Sequence, residues 1–188
     1  IIGGGYLLHI AMKSGDVWAV RGMWLYLFGM LASYITSTWY HSSRPDTRHR
    51  EVLRKFDHAA IYLHIAGSYS PIMLVSLREA GYWGWGIFSF VWLCAFIGTT
   101  LCFCRLKEHS YLETICYIAM GCSIFVAFKP LCNHVPSLFI DWLIAEGISY
   151  ITGAVFYSFH KLPYMHSVFH LFVLGGTICH MIALWYIL

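Results

Sequence analysis

Apolar runs of about twenty residues, each closed by a short polar stretch, follow one another along the whole chain. A helix rising 1.5 Å per residue needs about 20 residues to cross the hydrocarbon of a bilayer. Charge is too scarce for any soluble alternative. Hydrophobic residues fill 59% of the 188 positions and Asp, Glu, Lys and Arg only 11%, against roughly 25% charged residues in soluble domains. The sequence therefore predicts an all-α, polytopic integral membrane protein, with one domain over residues 1–188. Its spans read as about 18–41, 56–77, 82–104, 111–129, 137–159 and 165–187, with 1–12 as a seventh. Run 1–12 is about half a span and begins without Met, so the first helix is expected to be truncated, and no signal peptide can be judged from such a start. Pro71 should kink the third span.

Composition excludes some functions. A formal net charge of +3 is too small to suggest a nucleic-acid partner. The seven cysteines form no CxxC pair and sit mostly in apolar runs, where they read as small core residues. Cys102 and Cys104, beside Arg105 at the end of a run, are where acylation would fall.

Orientation follows from Lys and Arg. Arg44, Arg48, Arg50, Arg54, Lys55, Arg105, Lys107 and Lys161 fall on one side, against Lys13, Arg21, Arg78 and Lys129 on the other. By the positive-inside rule the richer side is cytoplasmic, as is the N-terminus. Span two then ends inside with Ser37 and His41, and span three begins inside with Asp57. Span seven begins inside with His166 and His170, four apart and so on one helix face. Three imidazoles and a carboxylate at one depth match a catalytic zinc site with an open fourth position, and Ser37 shares a face with His41. Taken alone, Asp57 reads equally as a helix cap or a partner of Arg54. His58, His64 and His180 fall away from this set. Glu146, an acid near mid-bilayer, is a functional candidate or a helix–helix hydrogen-bond partner; Asp141, near the outer end of the same span, is expected to be wet.

Several stretches together resemble the hemolysin III proteins. They are Ser37xxxHis41, residues 54–62 with 66–71, Gly153-Ala154-Val155-Phe156-Tyr157, and His166xxxPheHis170. Those proteins group with the progestin and adipoQ receptors, which include the adiponectin receptors, and more distantly with the alkaline ceramidases. The resemblance implies seven transmembrane helices, a cytoplasmic N-terminus, and Zn2+ held by His41, His166 and His170, with Asp57 reaching the metal through a water. Glu146 departs from the pattern. Zinc brings the pKa of a bound water to about 7; Asp57 would take its proton, and Ser37 would hydrogen-bond the oxyanion of an attacked carbonyl. A site among helices at the inner leaflet suits a membrane lipid, ceramide-like, entering sideways. The expected function is a zinc-dependent lipid amide hydrolase. A receptor or sensor with structural zinc is the alternative, and a pore-forming hemolysin the least supported, since no alternating barrel pattern exists.

Overall fold

The computed structural model describes residues 1–44, 47–105, 111–158 and 164–188, the side chains of Arg105, Tyr111, Leu112 and His166 excepted. Among the described residues the chain is helical, without a strand. The α-helices are α1 (Ile2–Ser14), α2 (Val17–Ser42), α3 (Arg48–Pro71), α4 (Trp83–Arg105), α5 (Tyr111–Gly121), α6 (Phe128–Cys132), α7 (Ser137–Ser158) and α8 (Met165–Trp185). A π turn, Ile72–Ser76, prolongs α3, and a 3-10 turn, Cys122–Ala127, joins α5 to α6. Five stretches have the length and apolar composition to cross a bilayer: Arg48–Ser76, Trp83–Cys104, Glu113–Cys132, Ser137–Ser158 and Ser167–Trp185. The protein is an all-α, multi-pass membrane protein. α1 has 13 residues. α2 has 26; its Arg21 and its Tyr, Ser and Thr residues lower its hydropathy, yet it turns Trp24, Phe28, Ile35 and Trp39 outward. That apolar outer face suits lipid.

Helix ends follow from local chemistry. Gly15 closes α1 in the left-handed region, at φ 76°, where glycine carries no Cβ penalty. One residue on, Asp16 caps α2 by accepting from the Trp18 amide at 2.8 Å. Thr47 caps α3 through the Arg50 amide at 3.2 Å, which starts that helix several residues before the apolar run. The polar first turns of α3 carry the chain beyond the hydrocarbon.

Lipid tails are as apolar as a leucine side chain, so burial against another helix brings little hydrophobic gain inside a bilayer. Close packing and hydrogen bonds hold the bundle instead. α2 and α3 share the most extensive interface, followed by α7 and α8. Their backbones meet where side chains vanish. A Cβ on Gly22 would lie 2.7 Å from Pro71 Cα, and one on Gly29 would strike the Leu63 carbonyl. Met23, Tyr26 and Met30 of α2 and Ala66 of α3 fill the surrounding core.

Pro71 behaves as expected in breaking the α-pattern, and the form of the break is specific. Lacking an N–H, it cannot donate to the carbonyl four residues back, and the turn after it widens to a π register. The fifth span, expected to be continuous, is interrupted instead. Tyr69 of α3 supplies the missing bonds: its hydroxyl donates to the Gly121 carbonyl at 2.5 Å and accepts from the Ile124 amide at 3.0 Å. A neighbouring helix thus satisfies backbone groups that the 3-10 turn frees.

Candidate functional site

Three helix ends meet at one end of the bundle. α2 presents Ser37 and His41 one turn apart in its last turns, α3 presents Asp57, and α8 carries His166 and His170 in its first turns. The His41 and His170 rings face each other edge-on, with centroids 5.3 Å apart and planes at 87°. Two imidazoles bound to one ion at about 2.0–2.1 Å in a tetrahedral arrangement would have centroids roughly 5 Å apart. The pair therefore fits two corners of a metal site, though an edge-on contact is also an ordinary aromatic packing. The Asp57 carboxyl lies by the Ser37 hydroxyl. His41 is exposed, while Ser37, Asp57 and His170 are half-buried.

Among the described residues no three His, Cys, Asp or Glu side chains converge closely enough to hold a metal ion. The His166 side chain lies outside the described residues; its backbone lies one turn before His170. The structure thus brings His41 to His170 and Ser37 to Asp57. Of the basic residues read as inner, Lys107 and Lys161 lie outside the described residues, as does the Arg105 side chain.

Aromatic neighbours fix the imidazoles. Tyr40 packs on His41 at 4.8 Å, and the Arg50 guanidinium lies 4.7 Å above the Tyr40 ring while donating to the Ser43 carbonyl at 2.7 Å. On the other side Phe169 packs on His170 at 5.3 Å and Tyr157 on Phe169 at 5.2 Å. Trp39 and Phe56, 59% and 46% exposed, add apolar outer surface to α2 and α3 near this end. A groove of about 400 Å³ lined by Trp18, Arg21, Trp24 and Trp85 lies at the opposite end of α2 and takes no part in this arrangement.

Two carboxylate–imidazole pairs escaped the sequence reading. His58 Nδ1 lies 2.8 Å from Glu113 Oε2, with the Cys102 thiol 4.0 Å from the other carboxylate oxygen and the Tyr117 hydroxyl donating to the His58 carbonyl at 2.9 Å. His180 Nδ1 lies 2.8 Å from Glu146 Oε2. An acid inside an apolar run is the legible signal in both cases, and it singles out Glu146; its histidine partner on another helix has no signature in one sequence. Asp141 is exposed, as expected. All seven cysteines are free, Cys102 buried and Cys104 exposed.

Comparison with known proteins agrees with this architecture. The sequence pattern of a family described as haemolysin-III related matches residues 1–181. Hemolysin-3 of Bacillus cereus is 38% identical over 174 residues, covering 91% of this chain and 76% of that protein. The Hemolysin-3 homolog of Bacillus subtilis (strain 168) is 33% identical, covering 92% and 79%. The Monocyte to macrophage differentiation factor of Homo sapiens is 33% identical over 187 residues, covering 97% and 76%. No solved structure matches.

Proposed function

This chain belongs to the haemolysin-III-related family, and on that premise we propose that it is a zinc-dependent hydrolase of membrane-lipid amide bonds, acting on ceramide-like substrates. The observation that supports this most is the edge-on pair of His41 and His170 beside the facing Asp57 and Ser37. His41, His166 and His170 would hold the ion. Zinc, when bound there, supplies Lewis-acid polarisation and acidifies a water enough for it to react at neutral pH.

The chain's own groups do the rest. Asp57, in reach of the half-buried site, accepts a proton from the attacking water and returns it to the departing amine nitrogen as the amide C–N bond breaks. Ser37 has one rotatable O–H. It holds the Asp57 carboxylate at rest and turns to the carbonyl oxygen as negative charge builds there. The outward apolar faces of Trp39 and Phe56 suit a lipid that approaches from the bilayer without leaving it.

Purified protein should carry about one zinc per chain, the stoichiometry of a single three-histidine site, and His166→Ala and His170→Ala should each lose it. Full metal occupancy in both variants removes the basis of this reading. A second reading, a sensor whose metal is structural, draws on the human relative, whose name describes a differentiation factor rather than an enzyme. Turnover of a broad ceramide panel in reconstituted membranes separates the two. A metal-loaded protein without turnover is a sensor.

A further inference from the structure

Glu146 of α7 and His180 of α8 lie away from the site just described, ten residues and roughly 15 Å of helix rise beyond His170. His180 is 1% exposed, and its Nδ1 lies 2.8 Å from Glu146 Oε2. Its other nitrogen, Nε2, is buried with no hydrogen-bond partner among the described residues. The Tyr26 ring of α2 packs on His180 at 5.1 Å, fully buried, and its hydroxyl is likewise without a partner. Buried polar atoms left unmatched are rare in proteins, and each calls for a redox or catalytic role, an ion or a water.

A second polar group adjoins the pair. The Tyr34 hydroxyl of α2 lies 2.9 Å from Thr177 Oγ1, and the Tyr150 hydroxyl of α7 lies 3.2 Å from the same oxygen. Thr177 is one turn before His180 on α8, and Tyr150 is one turn after Glu146 on α7. Tyr34 stands two turns before His41 on α2. The three hydroxyls form one cluster across α2, α7 and α8, in which the Thr177 hydroxyl donates to the Val173 carbonyl at 3.0 Å, and the cluster lies along the bundle between the Glu146–His180 pair and the His41 end.

We propose that the Glu146–His180 pair is a proton-binding centre inside the membrane, and that the hydroxyls of Tyr34, Thr177 and Tyr150 carry protons between it and the end of the bundle that holds His41 and His170. Charge is the first reason. An ionised Glu146 beside a neutral imidazole leaves one net negative charge in a dry interior, which is costly. A proton added to the Nε2 lone pair makes the pair neutral overall. Nδ1–H stays on the carboxylate, and loss of the Nε2 proton to a water entering beside it restores the starting state. The second reason is the character of the cluster. Hydroxyls both donate and accept and can rotate between partners, and acid, histidine and hydroxyl chains mark proton routes in membrane proteins. Among the described residues the titratable groups near the pair are Tyr26, His64, Tyr69, Tyr150 and Cys179. No lysine or arginine occurs among them to neutralise the carboxylate in the proton's place.

This inference goes beyond the hydrolase reading and does not rest on it. The test is proton flux. The full chain is reconstituted in vesicles holding a trapped pH-sensitive dye, with an imposed pH gradient and valinomycin to carry compensating potassium. Wild type should dissipate the gradient faster than protein-free vesicles. Glu146→Gln and the near-isosteric Thr177→Val should fall to the protein-free rate, and Thr177→Ser, which keeps the hydroxyl, should still conduct. Tyr34→Phe, lacking a single oxygen, breaks the cluster at a second point if the valine variant fails to fold. A wild type no faster than empty vesicles overturns the proposal, as does wild-type conduction by Glu146→Gln or by the hydroxyl-deleted variants. The pair is then a clamp between α7 and α8.

Discussion

Asp57 differs from the imidazoles around it in what it can lose. Asp57→Asn keeps its size and an oxygen facing Ser37, but not the capacity to take a proton. If the site hydrolyses lipid amides, that change should lower turnover by roughly 10²-fold or more, the usual size of a general-base contribution. The assay is run at saturating zinc, because neighbours of metal ligands also tune affinity, typically by 10–100-fold. Equal activity with metal bound would make Asp57 a cap or a charge partner. Helix parity and the four-residue spacing are what bring this residue and its neighbours to one depth and face in the sequence. His41 and His170 do meet. The pairing of His58 with Glu113 and of His180 with Glu146 was not legible, because it depends on how each helix is rotated about its axis. Period and hydropathy constrain that rotation only loosely.

At the scale of helices, the α2–α3 interface makes a sharp demand. Gly22 and Gly29 face backbone rather than flexible side chains, so an added methyl has nowhere to go without parting the helices. Gly22→Ala and Gly29→Ala should each lower stability by about 1–3 kcal/mol, the range for overpacking. Gly86→Ala and Gly147→Ala meet no atom within 4 Å and should leave the unfolding temperature in the same detergent unchanged or raised. If all four behave alike, the interface is looser than its geometry. Apolar run length makes the spans legible to within a few residues at most ends. The third begins earlier than its apolar run because Thr47 caps a polar turn. The break in the fifth comes from Tyr69 on a different helix, a tertiary cause with no mark in the span's own residues.

For the molecule as a whole, the basic residues orient the bundle. A cysteine placed at Ser43 should resist membrane-impermeant reagents applied to intact cells, because the positive-inside rule assigns the richer side to the cytoplasm. The background must lack Cys104, Cys116 and Cys132, all of them exposed. Ready labelling would invert the molecule and turn the His41 end to the outside.

α7 buries only Phe139 and Gly153 among its described residues, and it and α8 hold chiefly each other. Among the described residues Tyr34 to Thr177, Tyr26 against His180 and His41 against His170 tie this hairpin to α2, while Phe139, Ala183 and Leu184 reach the shared core. This pair of helices therefore docks by address rather than by adhesion. Greasy surface gives it no preference for its own bundle over the surrounding lipid, and a handful of polar side chains specify where it belongs. Maturation in the cell, and the amount of protein that survives quality control, then depend on those few contacts as much as any chemistry does.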